Sequence, residues 1–280
     1  MKHRIDPTVD YVFKALLGAE ENRDLLLDFL NALLAPPEPF ADVEILNPFV
    51  PAQFDGDDYT VVDVKAQTAS GLLFQVEIQL QVRPRLAARM VYTLADLYQA
   101  QLASGGDFTE LRPVHAIWLL DENLLRGSDR WLHRFQLRDQ PSGLLLSDHL
   151  TVHTVELRKW RLPELPLAPA DRWVYFFREA RHWDALPPAL QTPEMHKAMA
   201  VLNRISEKTL DYWRYQAREN FLREQRTIER MLEQERQEKE LERSAKELER
   251  SAKEHAQAEL EALRARMRAL GLDPDGEPKP

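Results

Sequence analysis

The sequence predicts a mixed α/β domain, then a helical segment and a long charged helix. Three observations carry that expectation. Apolar residues recur at helical spacing near the start of the chain and again over about 84–103. Between and beyond those segments lie short runs rich in β-branched and aromatic residues, two of which alternate polar with apolar positions. Near the other end, the heptad LERSAKE occurs at 241–247 and repeats identically at 248–254.

Over residues 8–35, Val12, Leu16, Leu25, Leu26, Phe29, Leu30 and Leu33 mark one helical face. Thr8 is placed to cap its start, Gly18 to divide it in two, and Pro36-Pro37 to end it. Strands are expected at VEILNPFV (43–50), YTVVDVKAQ (59–67) and LLFQVEIQLQ (72–81). Pro84 suits a first helical position, and Leu86, Met90, Leu94 and Leu97 mark the helix that follows. VHAIWLL (114–120), nearly continuous in apolar residues, reads as a buried strand. FQLRD, a turn at QPSG, and LSDHLTVHTVEL predict a hairpin over about 134–157. After Pro163 come helices rich in Trp, Tyr and Arg, where Trp160, Trp173, Trp183 and Trp213 suit packing better than base stacking.

Residues 218–270 hold thirteen Lys/Arg and thirteen Asp/Glu, with Glu235/Lys239, Glu242/Lys246 and Glu249/Lys253 at the favourable i,i+4 spacing. Leu241 and Leu248 share one heptad position and Ala245 and Ala252 its partner, but His255 takes the next. The apolar series continues in a shifted register at Leu260, Leu263, Met267 and Leu270. Both a weak coiled coil that assembles copies of the chain and a solvated charged helix fit that pattern. The last ten residues, GLDPDGEPKP, read as disordered.

Composition excludes several functions. The net charge of −9 falls mainly on the part before residue 218, which argues against tight non-specific duplex binding and requires a local basic patch or a bound cation for any nucleic-acid role. The chain has no cysteine, so disulfides and thiolate metal sites are out, and a reducing cytoplasm is the expected location. No secretory leader and no membrane span are expected. A P-loop, a GxGxxG and a G-x-S-x-G elbow are all missing. His149 and His153 are four apart in a strand context without a zinc motif, so they are read as solvated or locally bonded.

Residues 61–79, VVDVKAQTASGLLFQVEIQ, carry the chemistry. A loop Ala69-Ser70-Gly71, with Gly71 at the left-handed position, sets a register in which Asp63 faces Glu77 and Lys65 faces Gln75. Alternation then places Asp63, Lys65, Glu77 and Gln79 on one face, and Val62, Val64, Val76 and Ile78 on the other. Two carboxylates with Cβ atoms about 4.5–5.5 Å apart repel one another unless a divalent cation joins them. A hairpin with one wet face shows the same alternation, and that reading stands beside the metal one.

Several stretches occur together in order: DPTVDYVFKALLGAEENRDLLLDFLNALL (6–34), VEILNPF (43–49), VVDVKA (61–66), FQVEIQ (74–79), RMVYTLADLYQAQL (89–102), HAIWLLD (115–121) and FQLRD (135–139). Over about residues 5–160 the chain thus resembles the Rpn/transposase-type branch of the PD-(D/E)XK nuclease superfamily. The resemblance implies a restriction-endonuclease-like core of helix, three strands, helix and strand in residues 1–160, followed by the helical extension (161–217), the charged helix (218–270) and the tail (271–280). It implies a metal-dependent DNA endonuclease linked to recombination or mobile elements, with Asp63 and Glu77 as its acids. Mg²⁺ or another divalent cation would sit on Asp63, Glu77 and the Ile78 carbonyl. Gln79 falls where the wider superfamily has lysine, which leaves that position uncharged; Lys65 shares the face and is a candidate substitute. Asp10 on the first helix stands as a supporting acid, or pairs with Lys14. Arg83, Arg85 and Arg89 are candidate phosphate contacts, as is Lys65, whereas Tyr92 is expected at the edge of the core. The lack of a third carboxylate motif favours cutting over full transposition. The alternative is a catalytically silent nuclease-fold scaffold that assembles through its charged helix.

Overall fold

Six strands form one mixed sheet in the computed structural model, which describes residues 5–48, 63–82, 84–207 and 209–269. They are β1 (Glu44–Ile45), β2 (Asp63–Gln67), β3 (Leu73–Gln79), β4 (Val114–Leu120), β5 (Leu132–Arg138) and β6 (Leu145–Glu156), arranged in the order β1-β2-β3-β4-β6-β5. β3, β4 and β6 run parallel to their shared neighbours and the remaining pairs are antiparallel. Parallel neighbours need a crossover, and α3 (Leu86–Gln99) supplies it between β3 and β4.

α3 covers one face of the sheet. Its Leu86, Met90 and Leu94 bury against Leu73, Val114, Ala116, Trp118 and Leu120. The other face carries the larger core, where Val64, Phe74, Val76, Ile117, Leu119 and Val155 meet α1 (Asp10–Leu17), α2 (Arg23–Leu34), α4 (Pro169–Glu179) and α5 (Pro193–Glu207). Trp160, Trp173 and Trp183 pack as expected, while the side chain of Trp213 lies outside those described. Trp173 lies edge-on to Phe29 with centroids 5.6 Å apart and donates from Nε1 to Asp28 at 2.8 Å. That Asp28 carboxyl is held above its usual range by burial, which outweighs the Trp173 hydrogen bond.

The β2–β3 hairpin has the expected register, with Asp63 opposite Glu77 and Lys65 opposite Gln75. Gly71 adopts φ 86° at its tip, a left-handed conformation that costs other residues about 1–2 kcal/mol.

Other boundaries differ from expectation. β1 contains only Glu44 and Ile45, because Asn47 turns its side chain back to accept from the Lys65 N–H at 2.6 Å. Residues 49–50 and 59–62 of the expected strands lie outside the described residues, as do Arg83, Leu270 and the tail from 271. Thr8 does not cap α1: its hydroxyl donates to Asp6 at 2.6 Å, and Val9 holds the cap position without a side-chain bond. Pro84 sits in a turn and α3 starts at Leu86, since Arg85 takes a left-handed φ of 70° at the cap. Tyr92 is 71% exposed, not at the core edge, because it lies on the flank of α3 turned from the sheet.

The chain divides into two units, the first ending at Glu219 and the second starting at Asn220. The second continues α6 (Thr209–Ala269), whose charges pair at Lys239–Glu235 and Lys246–Glu242, both 2.6 Å. Leu241 and Leu248 are 72% and 77% exposed on it. Among the described residues, no helix is long and apolar enough to cross a membrane.

Candidate active site

The hydrogen-bond phase of the hairpin determines how closely the two acids approach. Thr68 N–H donates to the Leu72 carbonyl at 3.0 Å, and antiparallel pairs alternate from there. Asp63 and Glu77 are therefore a non-hydrogen-bonded pair, the kind whose Cα atoms approach to about 4.5 Å. The same alternation turns the Ile78 carbonyl toward β2. It turns the Gln79 carbonyl toward β4, where it accepts from the Asp121 N–H at 3.2 Å. Of Asp63 the backbone alone is described.

Glu77 is 2% exposed, an unusual position for a carboxylate, and its surroundings account for it. Arg89, on the first turns of α3, donates from Nη2 to Glu77 Oε1 at 2.5 Å and from Nη1 to Gln79 Oε1 at 3.2 Å. Its Cζ lies 5.4 Å from the centre of the Trp118 ring, a cation–π placement. Trp118 is the β4 neighbour of Glu77, and the cross-strand row continues through Thr154 to His133. Among the described residues, Trp118 Nε1, Thr154 Oγ1 and His133 Nδ1 are buried without a hydrogen-bond partner. An unmet buried polar atom costs about 1–3 kcal/mol, so this row is held at some expense to the fold.

Asp10 does not lie free at the start of α1. It accepts from Arg218 Nε at 2.6 Å, with the Arg218 Nη2 also in contact, and from the Tyr11 N–H at 2.8 Å. Lys65 is half-buried on the Glu77 face. Arg85 is exposed at the cap of α3, one turn before Arg89. The geometry therefore brings Glu77, Gln79 and Arg89 into direct contact and sets Asp63 opposite Glu77. It gives Asp10 a separate cationic partner.

The donor set suits a hard cation. Two carboxylates and a backbone carbonyl offer oxygen alone, and Mg²⁺ is commonly held by one or two carboxylates with waters completing its shell. Among the described residues, no three His, Asp or Glu side chains gather as a metal cluster.

Sequence reading missed two features. Arg89 was expected to reach phosphate, and its bonds to Glu77 and Gln79 could have been suspected only from the ten- and twelve-residue spacing across a crossover. The second feature is Glu156, fully buried at the end of β6, which accepts from the Leu124 and Leu125 N–H groups at 2.5 and 2.9 Å and from Lys159 Nζ at 2.7 Å. His133 Nε2 meets Ser128 Oγ at 2.8 Å, but its Nδ1 stands 3.8 Å from Glu156. That gap is too long for a hydrogen bond, so the trio is no acyl-transfer relay. His149 and His153 are bonded across the fold instead of locally, to Tyr98 OH at 2.9 Å and to His115 Nδ1 at 3.2 Å, because β6 lies beside β4 in the sheet.

A family model described as PD-(D/E)XK nuclease family transposase matches residues 7–231, extending the resemblance through the helical segment into α6. No curated protein and no solved structure matches the chain.

Proposed function

The chain belongs to the PD-(D/E)XK nuclease family transposases, and from that premise we propose that it is a metal-dependent DNA endonuclease acting in recombination or mobile-element movement. The observation that supports this most is the register that sets Asp63 opposite Glu77 as a non-hydrogen-bonded pair, which brings two acids to one face of the hairpin. Asp63, Glu77 and the Ile78 carbonyl would hold the cation. When bound, a divalent cation polarises a phosphoryl oxygen and lowers the pKa of a bound water. Gln79 hydrogen-bonds at the attacking side, while Lys65, Arg83 and Arg85 hold the flanking phosphates. Asp10, clamped by Arg218, would act as a supporting acid from the start of α1. The protein works in the cytoplasm, and its product is a hydrolysed phosphodiester, with no strand joining.

Supercoiled plasmid incubated with the full chain should be nicked in Mg²⁺, left intact in EDTA, and left intact by Asp63→Ala. Nicking that persists in EDTA or in Asp63→Ala would refute the metal pair. No nicking under any metal would favour the silent scaffold, and faster digestion of RNA than of DNA would change the substrate.

Residues 218–270 serve self-association in this reading, supported by the exposed Leu241 and Leu248. Leu241→Lys/Leu248→Lys should lower the mass measured by light scattering; an unchanged mass removes the role.

A further inference from the structure

Arginine has donors only, so the Gln79 atom that faces Arg89 at 3.2 Å must be the amide oxygen. That settles the orientation of an amide whose two ends are otherwise interchangeable. With Oε1 committed to Arg89, Gln79 presents its NH₂ group away from the guanidinium. The same guanidinium holds Glu77 Oε1 at 2.5 Å and rests against the Trp118 ring, so it is braced at three points. We infer that Arg89 is a positioning residue: it locks Gln79 as a hydrogen-bond donor beside Glu77, and it is not a phosphate contact. This inference rests on the nuclease reading for its role in cutting, but the clamp itself is a property of the free chain.

The consequence is chemical. A neutral amide that could face either way would offer an oxygen as readily as an N–H to an anionic substrate. Locked by Arg89, it offers only N–H, as an ammonium at that position would. The positive charge that Gln79 lacks is supplied behind it, on the guanidinium. Of the five N–H donors of the guanidinium, one on each terminal nitrogen is engaged, and its charge is already paired with Glu77, which weakens its pull on the DNA backbone without using up its donors.

The two roles give different results in Arg89→Ala. A positioning role lowers the nicking rate at saturating DNA by about 10–100-fold, as loss of an orienting partner commonly does. DNA affinity and its salt dependence then stay within about twofold. A phosphate contact instead weakens binding and flattens the salt slope while the saturated rate holds, and that result would overturn the inference. Gln79→Lys carries its own donor and charge, so adding it to Arg89→Ala should recover most of the lost rate; no recovery also counts against the clamp. A readout without DNA separates this inference from the nuclease reading. The Gln79 side-chain NH₂ signals in ¹⁵N spectra, assigned by their loss in Gln79→Lys, should be rigid in the native chain and mobile in Arg89→Ala. Equal mobility in both refutes the clamp even in an active nuclease. A rigid amide released by Arg89→Ala, in a chain that cuts nothing, refutes the nuclease reading and leaves the clamp standing.

Discussion

Glu77→Gln should cut plasmid nicking by at least about 100-fold, the scale on which preorganised charge contributes to catalysis. Its stability should stay within about 1 kcal/mol of the native chain. The substitution keeps the shape of the side chain and removes only its charge. Removing one member of a buried ion pair is costly where the other charge is left buried, about 3–5 kcal/mol, and much less so where that charge keeps contact with water. The amide oxygen can still accept from Arg89, and that guanidinium, with its side chain 36% exposed, stays hydrated on its outer side. Folding therefore gains little from the Glu77 charge, whereas a divalent cation requires it. Nicking rates and urea midpoints measured on one preparation give both numbers. Activity within threefold of the native chain would show that the charge serves no reaction. A stability loss of several kcal/mol would make Glu77 a structural acid.

That separation was partly visible in the chain alone. The hairpin was legible because its information is local. A three-residue loop ending in glycine fixes the register, and alternation then assigns each side chain to a face, so the Asp63–Glu77 pairing follows from fewer than twenty residues. The buried β4 strand was legible for a similar reason, since a continuous apolar run between breakers has few other uses. Contacts set by packing were not legible. Arg89 meets Glu77 only because α3 crosses over the sheet at a particular angle, and Arg218 meets Asp10 across 208 residues. Helix starts failed where side chains competed for the same groups. Thr8 fits the capping pattern, yet Asp6 two residues earlier captures its hydroxyl. Pro84 fits a first helical turn, yet the left-handed Arg85 delays the helix. The histidine pair was hidden by topology: β4 and β6 are neighbours although β5 lies between them in sequence.

That pair should make the fold acid-labile well above the range in which carboxylates titrate. His115 and His153 stack with centroids 5.2 Å apart, and His153 Nε2 lies 3.2 Å from His115 Nδ1. Burial pushes His115 down to about 4, helped by Arg134 and opposed by Asp148. Burial, then the His115 ring, then Arg134 push His153 down to about 3. Above the ordinary histidine value both rings are neutral whether the chain is folded or not, so pH has no purchase on stability there. Below about 6.5 the unfolded chain binds protons that the folded rings refuse, so stability is lost as pH falls toward 4 and 3. At pH 5 each ring then costs about 2 kcal/mol, and the pair roughly 4 kcal/mol. That is a large share of the roughly 5–15 kcal/mol that stabilises a typical domain. Urea unfolding at pH 7 and pH 5 should show the loss, and His115→Leu/His153→Leu should remove most of the difference between the two curves. If the double variant loses as much stability as the native chain over that interval, the acid sensitivity lies elsewhere and the buried rings are not its cause.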